Sequence, residues 1–274
     1  MVDSGSNVDS RGEVATSPRR GVGGLLSAPR LVGAAALLSG LLAWEIYARS
    51  LENNIFFPTV ASMVDGLRSL VGDPDFWASY RETLIPFAWG WVTSMAAGVL
   101  IGLIAGLSKT AWKLISPYVA FFHALPVSVL VPVMVVAFGI DLLARSSVVF
   151  LFGFFEVLLS TVAGVGYISD DIRDMTRSFG MGPLRAFRRV VLPGAMPAIM
   201  AGLRIGTGRA VVGMVVMELL LVSVGVGRLI IRYRALFQAP QLYALVVTLA
   251  IFGLVALALM RRLETRVLRW RGEG

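Results

Sequence analysis

The sequence contains no cysteine and only one histidine, His123. Without cysteine, the chain can form neither a disulfide framework nor a thiolate metal site. A single histidine also excludes metal centres that need several imidazole ligands. Charged residues are scarce too: they make up 15% of the chain, whereas soluble domains carry about 25%.

Hydrophobic residues are correspondingly abundant. They make up 57% of the sequence, and the mean hydropathy is +0.78. With so few charges, a soluble fold would lack the polar surface that faces water, so we expect the apolar surface to face lipid. The net charge of +8 does not indicate nucleic acid, because the cations do not cluster with stacking aromatic residues.

Six apolar stretches approach the length of about 20 residues that a membrane-spanning helix needs. They cover residues 31–48, 84–107, 117–138, 148–168, 198–224 and 241–260. The sequence therefore predicts an all-α membrane protein with about six transmembrane helices. Pro117, Pro126 and Pro132 are expected to bend the third stretch, since lipid-buried helices tolerate proline.

The two ends of the chain differ from this membrane domain, predicted over residues 31–262. Residues 1–30 are rich in Ser, Gly and Asp, which predicts a disordered tail, and residues 263–274 form a short C-terminal tail. Lys and Arg concentrate in segments that would share one side of the membrane, which predicts both termini in the cytoplasm. Arg228, Arg232 and Arg234 lie on the opposite side and weaken this bias.

Residues 60–72 have the pattern of a short amphipathic helix between the first two spans. One side would be apolar and carry Val60, Met63, Val64, Leu67, Leu70 and Val71. We expect this helix to lie at the membrane interface rather than to read a substrate.

Residues 169–200 form a long, charged segment between the fourth and fifth spans, predicted on the cytoplasmic side. Asp170, Asp171 and Asp174 favour the start of a helix, and Gly180 with Gly182-Pro183 predicts a turn. A second helix with three arginines then meets Leu192-Pro193 at membrane re-entry. From the residues alone, this segment is either a basic loop on anionic headgroups or a docking surface for a cytoplasmic partner.

The order of residues in this segment resembles the coupling loop of binding-protein-dependent ABC importer permeases. That family has Glu-Ala-Ala where this chain has Asp174-Met175-Thr176, so the acid is shortened and both alanines are replaced. The resemblance implies a set of residues that couple to an ATPase. They are Asp171, Asp174, Met175, Thr176, Gly180, Arg185, Leu192 and Pro193.

Other segments resemble the sulfonate, taurine and nitrate branch of this family. They are FFPTVASMVDGL, HALPVSVLVPVMVVAFGID, FFEVLLSTVAGV, LPGAMPAIMAGLRIGTGRAVVGMVVMELL and GVGRLI, and together the resemblance covers about residues 31–270. Three positions depart from the branch: His123 replaces an arginine, and Val127 and Glu156 replace prolines.

The resemblance implies a type I importer permease fold in a bacterial inner membrane. Its partners would be a second copy of the chain, two cytoplasmic ATP-binding subunits and an external solute-binding protein that delivers a small anionic solute. ATP and Mg would be used by the partner ATPase, and this chain would bind no cofactor. The sequence itself contains no G-x-x-x-x-G-K-[ST] phosphate-binding loop.

Ionisable residues inside apolar spans are costly and usually face protein or water. The predicted pathway residues are His123, Glu156, Arg209 and Glu218. Arg209 and Glu218 stand about 13 Å apart along a helix and cannot pair, so Glu156 is the expected partner of Arg209. A buried structural ion pair explains these residues equally well.

Two further charges have simpler interpretations. We expect Glu45 at the membrane interface, and Arg204 either as a helix-end anchor or paired with Asp174 or its neighbours. Intramembrane carboxylates also keep an ion-gradient-driven secondary transporter open as the alternative function. Closely spaced small residues at 98, 102 and 106 and at 202, 206 and 213 predict tight helix packing, within the subunit or between copies.

Overall fold

The structure is a computed structural model, which describes residues 28–51, 55–168, 175, 178–220 and 224–271. Every regular element in these ranges is helical, which confirms the predicted all-α class. The helices are α1 (Ala28–Ser50), α2 (Val60–Val71), α3 (Pro74–Leu107), α4 (Lys109–Ala124), α5 (Val127–Phe138), α6 (Leu142–Gly166), α7 (Pro183–Leu220), α8 (Gly225–Ala235) and α9 (Ala239–Val267).

Among the described residues, four helices are long and apolar enough to cross a membrane: α3, α6, α7 and α9. The pair α4 and α5 makes a fifth span if its two halves are counted together. The first predicted span, residues 31–48, corresponds to α1, which is not among these candidates and belongs to a separate compact unit, Met1–Leu51. Within α1, Arg49 Nε donates to Glu45 Oε1 at 2.7 Å, near the end of the helix where an interfacial position was predicted.

The third predicted span is two helices rather than one. α4 and α5 meet at an angle of 98°, and Leu125 between them has extended backbone, with φ −72° and ψ 135°. A residue that precedes proline avoids the helical region, so Pro126 explains the bend. Pro117 and Pro132 lie inside helices, so the prediction that prolines bend this span is confirmed at Pro126.

The helix α6 is the centre of the bundle, with α3 and α7 packed along it. A Cβ added at Gly98, Gly102 or Gly106 of α3 would lie 2.7 Å from a side-chain carbon of α6. On α7, Gly202 and Gly206 approach α6 in the same way. The predicted glycine rows therefore serve close packing within the subunit.

α7 is a single helix of 38 residues, so the helix predicted before Leu192-Pro193 continues through the proline into the membrane span. A π-helical turn over Phe187–Val191 precedes the proline, and Leu192 N–H donates to the carbonyl of Phe187, five residues earlier. Proline removes a hydrogen bond and clashes with the carbonyl four residues before it. The wider π turn accommodates that clash, and the helix continues.

The amphipathic helix predicted over residues 60–72 is present as α2, but its packing face differs. Its buried residues are Gly66 and Leu70, whereas Val64 and Val71, expected on the apolar side, are 44% and 46% exposed. A Cβ at Gly66 would lie 2.8 Å from the backbone of Pro240. This close approach to the start of α9 rotates the buried face away from the valines.

Candidate functional site

The polar segment between α6 and α7 is described from Met175 and from Ser178 onward. Phe179 N–H donates to the carbonyl of Met175, which closes a helical turn, and Gly180 then has φ +67°. This left-handed conformation favours glycine. The described residues thus contain one helical turn that ends at Phe179, the turn at Gly180 and the helix that follows, while Asp170, Asp171, Asp174 and Thr176 lie outside the described residues.

The first turns of α7 combine an exposed basic surface with an apolar anchor. Arg185, Arg188 and Arg189 are exposed, and Leu184 beside them is 62% exposed. The anchor is a buried cluster of Val165, Ile168, Val191, Ala195 and Ile199, on which Phe187 and Leu192 pack. Pro193 is half-buried next to it. The packing of α6 against α7 therefore holds the exposed basic surface in place.

In the middle of the bundle, three of the predicted pathway residues meet. Arg209 Nε of α7 lies 3.2 Å from Glu156 Oε1 of α6, which confirms the predicted pairing. His123 Nε2, at the end of α4, lies 3.9 Å from the same carboxylate oxygen. The side chains of Arg209 and His123 are 59% and 47% exposed, while Glu156 is 23% exposed.

This cluster opens onto the surface of the subunit at the depth of the membrane. With a rise of 1.5 Å per residue, Arg209 lies about 16 Å from the Leu220 end of α7. Ile205 and Val212, one turn on either side, are each 48% exposed. A charge is costly in hydrocarbon, so this face must meet water or another protein surface.

Glu218, the fourth predicted residue, lies in a different and closed environment. It is 4% exposed and accepts hydrogen bonds from Thr83 Oγ1 at 2.9 Å, Arg145 Nη2 at 3.0 Å and Gly227 N–H at 2.7 Å. Arg145 is itself 7% exposed. We call Thr83, Arg145, Glu218, Gly225 and Gly227 the buried polar cluster.

Arg145 was not among the site residues predicted from the sequence. Arg145 lies in the first turn of α6 and points into the protein. The available signal was Glu218, because a carboxylate inside an apolar span that cannot pair with Arg209 needs a buried cation from elsewhere in the chain.

The buried polar cluster also holds α8 against the bundle. Val226 N–H donates to Thr83 Oγ1 and Gly225 N–H donates to Glu82 Oε2, both at 3.0 Å. Gly225 has φ +63°, and a Cβ at Gly227 would lie 2.1 Å from the backbone oxygen of Glu218. The glycines of the GVGRLI segment are therefore required for this contact.

Two arginines of α8 pair with an acid at the start of α3. Arg228 Nη2 donates to Asp75 Oδ1 at 2.8 Å and to Ser79 Oγ at 3.0 Å. Arg232 Nη1 donates to the other oxygen of Asp75 at 3.3 Å. Two of the three cations that weakened the charge asymmetry are thus held by an acid on the same end of the bundle.

Arg204 has a partner that the sequence did not indicate. Its Nε lies 3.2 Å from Glu264 Oε2 of α9. The nitrogen is buried and makes no hydrogen bond to a described residue, so the contact with Glu264 is an ion pair only. Asp174, the predicted partner, lies outside the described residues.

Residues 98–269 match the family described as binding-protein-dependent transport system inner membrane component. A relative from Brucella abortus (strain 2308), named as an ABC transporter permease protein, is 30% identical over 202 residues, which are 74% of this chain and 78% of the relative. A relative from Bacillus subtilis (strain 168), named for the transport of aliphatic sulfonates, is 27% identical over 214 residues, 78% of each chain.

A solved structure shares the fold. An inward-facing crystal structure of the MetNI methionine ABC transporter aligns with a TM-score of 0.56 and 19% identity, over 74% of this chain and all of the other. These matches confirm the resemblance found in the sequence, and with it the type I importer permease fold. The chain belongs to the binding-protein-dependent transport inner membrane component family and is a multi-pass membrane permease of the ABC transporter type.

Proposed function

We propose that this chain is the permease subunit of an ATP-driven importer that translocates a small anionic solute, such as a sulfonate, taurine or nitrate. An external binding protein would deliver the solute, and both termini would lie in the cytoplasm. The observation that carries this proposal is the continuity of α7. One helix connects the exposed basic surface after Gly180, the half-exposed Arg209 and the buried Glu218.

The start of α7 supports docking to a cytoplasmic ATPase. Exposed Arg185, Arg188 and Arg189 offer charge, and exposed Phe179 and Leu184 offer apolar contact. Packed helices shift as units, so a push on this surface would move Arg209 along with it. Two such ATPases would bind and hydrolyse ATP with Mg, and the permease would supply the moving pathway.

The exposed face around Arg209 supports a second permease copy. A charge that is 59% exposed at membrane depth needs a covering that supplies water or polar groups. A homodimer with two-fold symmetry would place two such faces around a shared path. In that arrangement Arg209 lines the pathway and offers positive charge to the solute.

Co-purification tests the ATPase dock. The full complex is purified through a tag on this chain, with Gly180→Asp compared against Gly182→Ala. Gly180 needs a left-handed backbone, whereas Gly182 has φ −64° and open space around its Cβ. We expect the ATPase to co-purify with wild type and Gly182→Ala but not with Gly180→Asp. Retention of the ATPase by Gly180→Asp would contradict the dock.

The alternative is an ion-gradient-driven secondary transporter, which the carboxylate of Glu156 at membrane depth favours. Uptake of a labelled alkanesulfonate by vesicles distinguishes the two functions. The importer requires ATP and persists when an ionophore collapses the ion gradients. The secondary transporter stops with the ionophore and does not need ATP.

A further inference from the structure

We infer that Glu156 is a built-in counter-ion that competes with the transported anion for Arg209. The site then takes a small monoanion whose head group presents two or three oxygens, as a sulfonate or carboxylate does. This inference rests on the proposed function, because it assumes that the face around Arg209 lines a water-filled path.

The geometry of the ion pair leaves most of the guanidinium free. The closest approach to Glu156 uses Nε of Arg209, at 3.2 Å. The terminal amino groups make no hydrogen bond to a described residue, and the side chain is 59% exposed. A guanidinium is a planar fork that matches a pair of oxygens. The free edge of Arg209 can therefore receive the head group of an anion from the exposed side.

Glu156 has a second partner within reach. His123 Nε2 lies 3.9 Å from Oε1, the same oxygen that faces Arg209. A neutral imidazole can still donate one hydrogen bond. When an anion occupies Arg209, a small rotation brings Glu156 to His123, and the carboxylate is not left without a partner.

A counter-ion of this kind prevents the site from binding the transported anion too tightly to release it. Away from bulk water, an unopposed guanidinium attracts an anion strongly, and a transported anion must leave again. Glu156 restores a neutral resting site each time the anion departs. It also repels dianions more than monoanions, since the repulsion grows with the charge of the ligand. Ile205 and Val212 beside Arg209 are aliphatic and exposed, which suits a small alkyl tail.

The absence of cysteine gives a direct test that needs no knowledge of the natural solute. Val212→Cys places a thiol one turn from Arg209, on the exposed side of α7. The full complex in vesicles is treated with a methanethiosulfonate reagent that carries a sulfonate, and separately with one of similar size that carries trimethylammonium. The measurement is the ratio of the two labelling rates. Leu254→Cys on α9, 66% exposed, is the control for a lipid-facing position.

We expect Val212→Cys to react with both reagents and to favour the sulfonate, while Leu254→Cys reacts with neither. Arg209→Gln should lower the sulfonate preference by about tenfold or more, because it removes a full charge near the thiol. Glu156→Gln should raise the preference by a similar factor. Arg209→Lys keeps the charge, so it should keep the preference, and it controls for misfolding in Arg209→Gln.

Four results would overturn the inference. One is a thiol at 212 that reacts with neither reagent, and another is a ratio that Arg209→Gln leaves unchanged. The third is a ratio that Glu156→Gln leaves unchanged or lowers, which would make Glu156 purely structural. A ratio that rises only when anionic lipid is omitted would assign the site to lipid headgroups instead. ATPase co-purification from the same preparations reports separately on the proposed function.

Discussion

The same two helices, α6 and α7, are joined by two ion pairs in opposite environments. At the α8 end, Arg145 and Glu218 approach to 3.0 Å, with side chains 8% and 4% exposed. At mid-depth, Glu156 and Arg209 approach to 3.2 Å, with side chains 23% and 59% exposed. The helix that supplies the cation is reversed between the two pairs. Similar chemistry and distance therefore do not determine what an ion pair does.

The difference lies in how many partners each carboxylate has. Glu218 accepts three hydrogen bonds from three other elements, α3, α6 and α8. Glu156 has one cation and a distant imidazole. A saturated buried pair holds helices in one arrangement, whereas an open pair leaves donors for a ligand. We expect α7 to pivot as one rigid helix about its α8 end, where the buried pair keeps it against α6.

Glu218→Ala gives the largest effect that the comparison predicts. It leaves Arg145 buried without a counter-ion and Gly227 N–H without an acceptor, which should cost about 3–5 kcal/mol of stability. Glu156→Ala at the open pair should cost about 1 kcal/mol or less. Thermal unfolding of the purified complex in detergent measures both. Equal losses for the two variants would remove the distinction between the pairs.

A double substitution separates the effect of the buried charges from that of the hydrogen bonds around them. Arg145→Met with Glu218→Met removes both buried charges together, and such replacements are often neutral or stabilising. We expect the double variant to recover most of the loss seen with Glu218→Ala, measured by the same unfolding assay. A double variant as unstable as the single one would show that the hydrogen bonds to Thr83 and Gly227, rather than the charge, hold the cluster.

The sequence predicts the pair of Arg209 and Glu156 better than the buried pair of Arg145 and Glu218, for physical reasons. Membrane helices follow from apolar length, and the pairing of Arg209 with Glu156 follows because both are isolated charges in adjacent spans. Arg145 stands at the edge of its apolar run, where an exposed cation is equally compatible with the pattern. Its burial depends on how α3, α6 and α8 converge, and that convergence involves residues more than 130 positions apart, such as Thr83 and Glu218.

The path of the backbone likewise depends on packing between distant residues, which a local sequence pattern does not reveal. Proline at 193 disfavours a helix locally, and the residue pattern alone does not predict that the helix continues through it. The π turn before it, anchored by the cluster of Val165, Val191 and Ala195, overrides that preference. The bend at Pro126 was predicted correctly because no comparable packing opposes it on the α4 side, where the residues around 122–126 are largely exposed.

Gly227→Ala gives the next largest effect. The added Cβ would lie 2.1 Å from the backbone oxygen of Glu218, so α8 would have to move away from α7. We expect a loss of about 1–3 kcal/mol in thermal unfolding. Gly166→Ala is the matched control, since nothing lies within 4 Å of its Cβ position. A Gly227→Ala variant as stable as the control would show that α8 is not held tightly by the cluster.

Thr83→Val tests the hydroxyl that bridges the cluster. Thr83 Oγ1 donates to Glu218 and accepts from Val226 N–H, and valine keeps the shape without either bond. Leaving a buried N–H unsatisfied should cost about 1–3 kcal/mol. The control is Thr93→Val on the same helix, whose hydroxyl is exposed and bonds only within α3. A loss in the control as large as that in Thr83→Val would assign the effect to helix propensity instead.

Arg228→Gln should give the smallest loss of stability, and it tests whether Arg228 belongs to the buried polar cluster. Arg228 and Asp75 are 44% and 35% exposed, so solvent screens their attraction and we expect a loss below about 1 kcal/mol. Salt screens exposed pairs further, and the loss should shrink when thermal unfolding is repeated at high ionic strength. The loss from Glu218→Ala should change little with salt, because that pair is buried. If the loss from Arg228→Gln also resists salt, the contact of Arg228 with the fully buried Ser79 makes it part of the cluster.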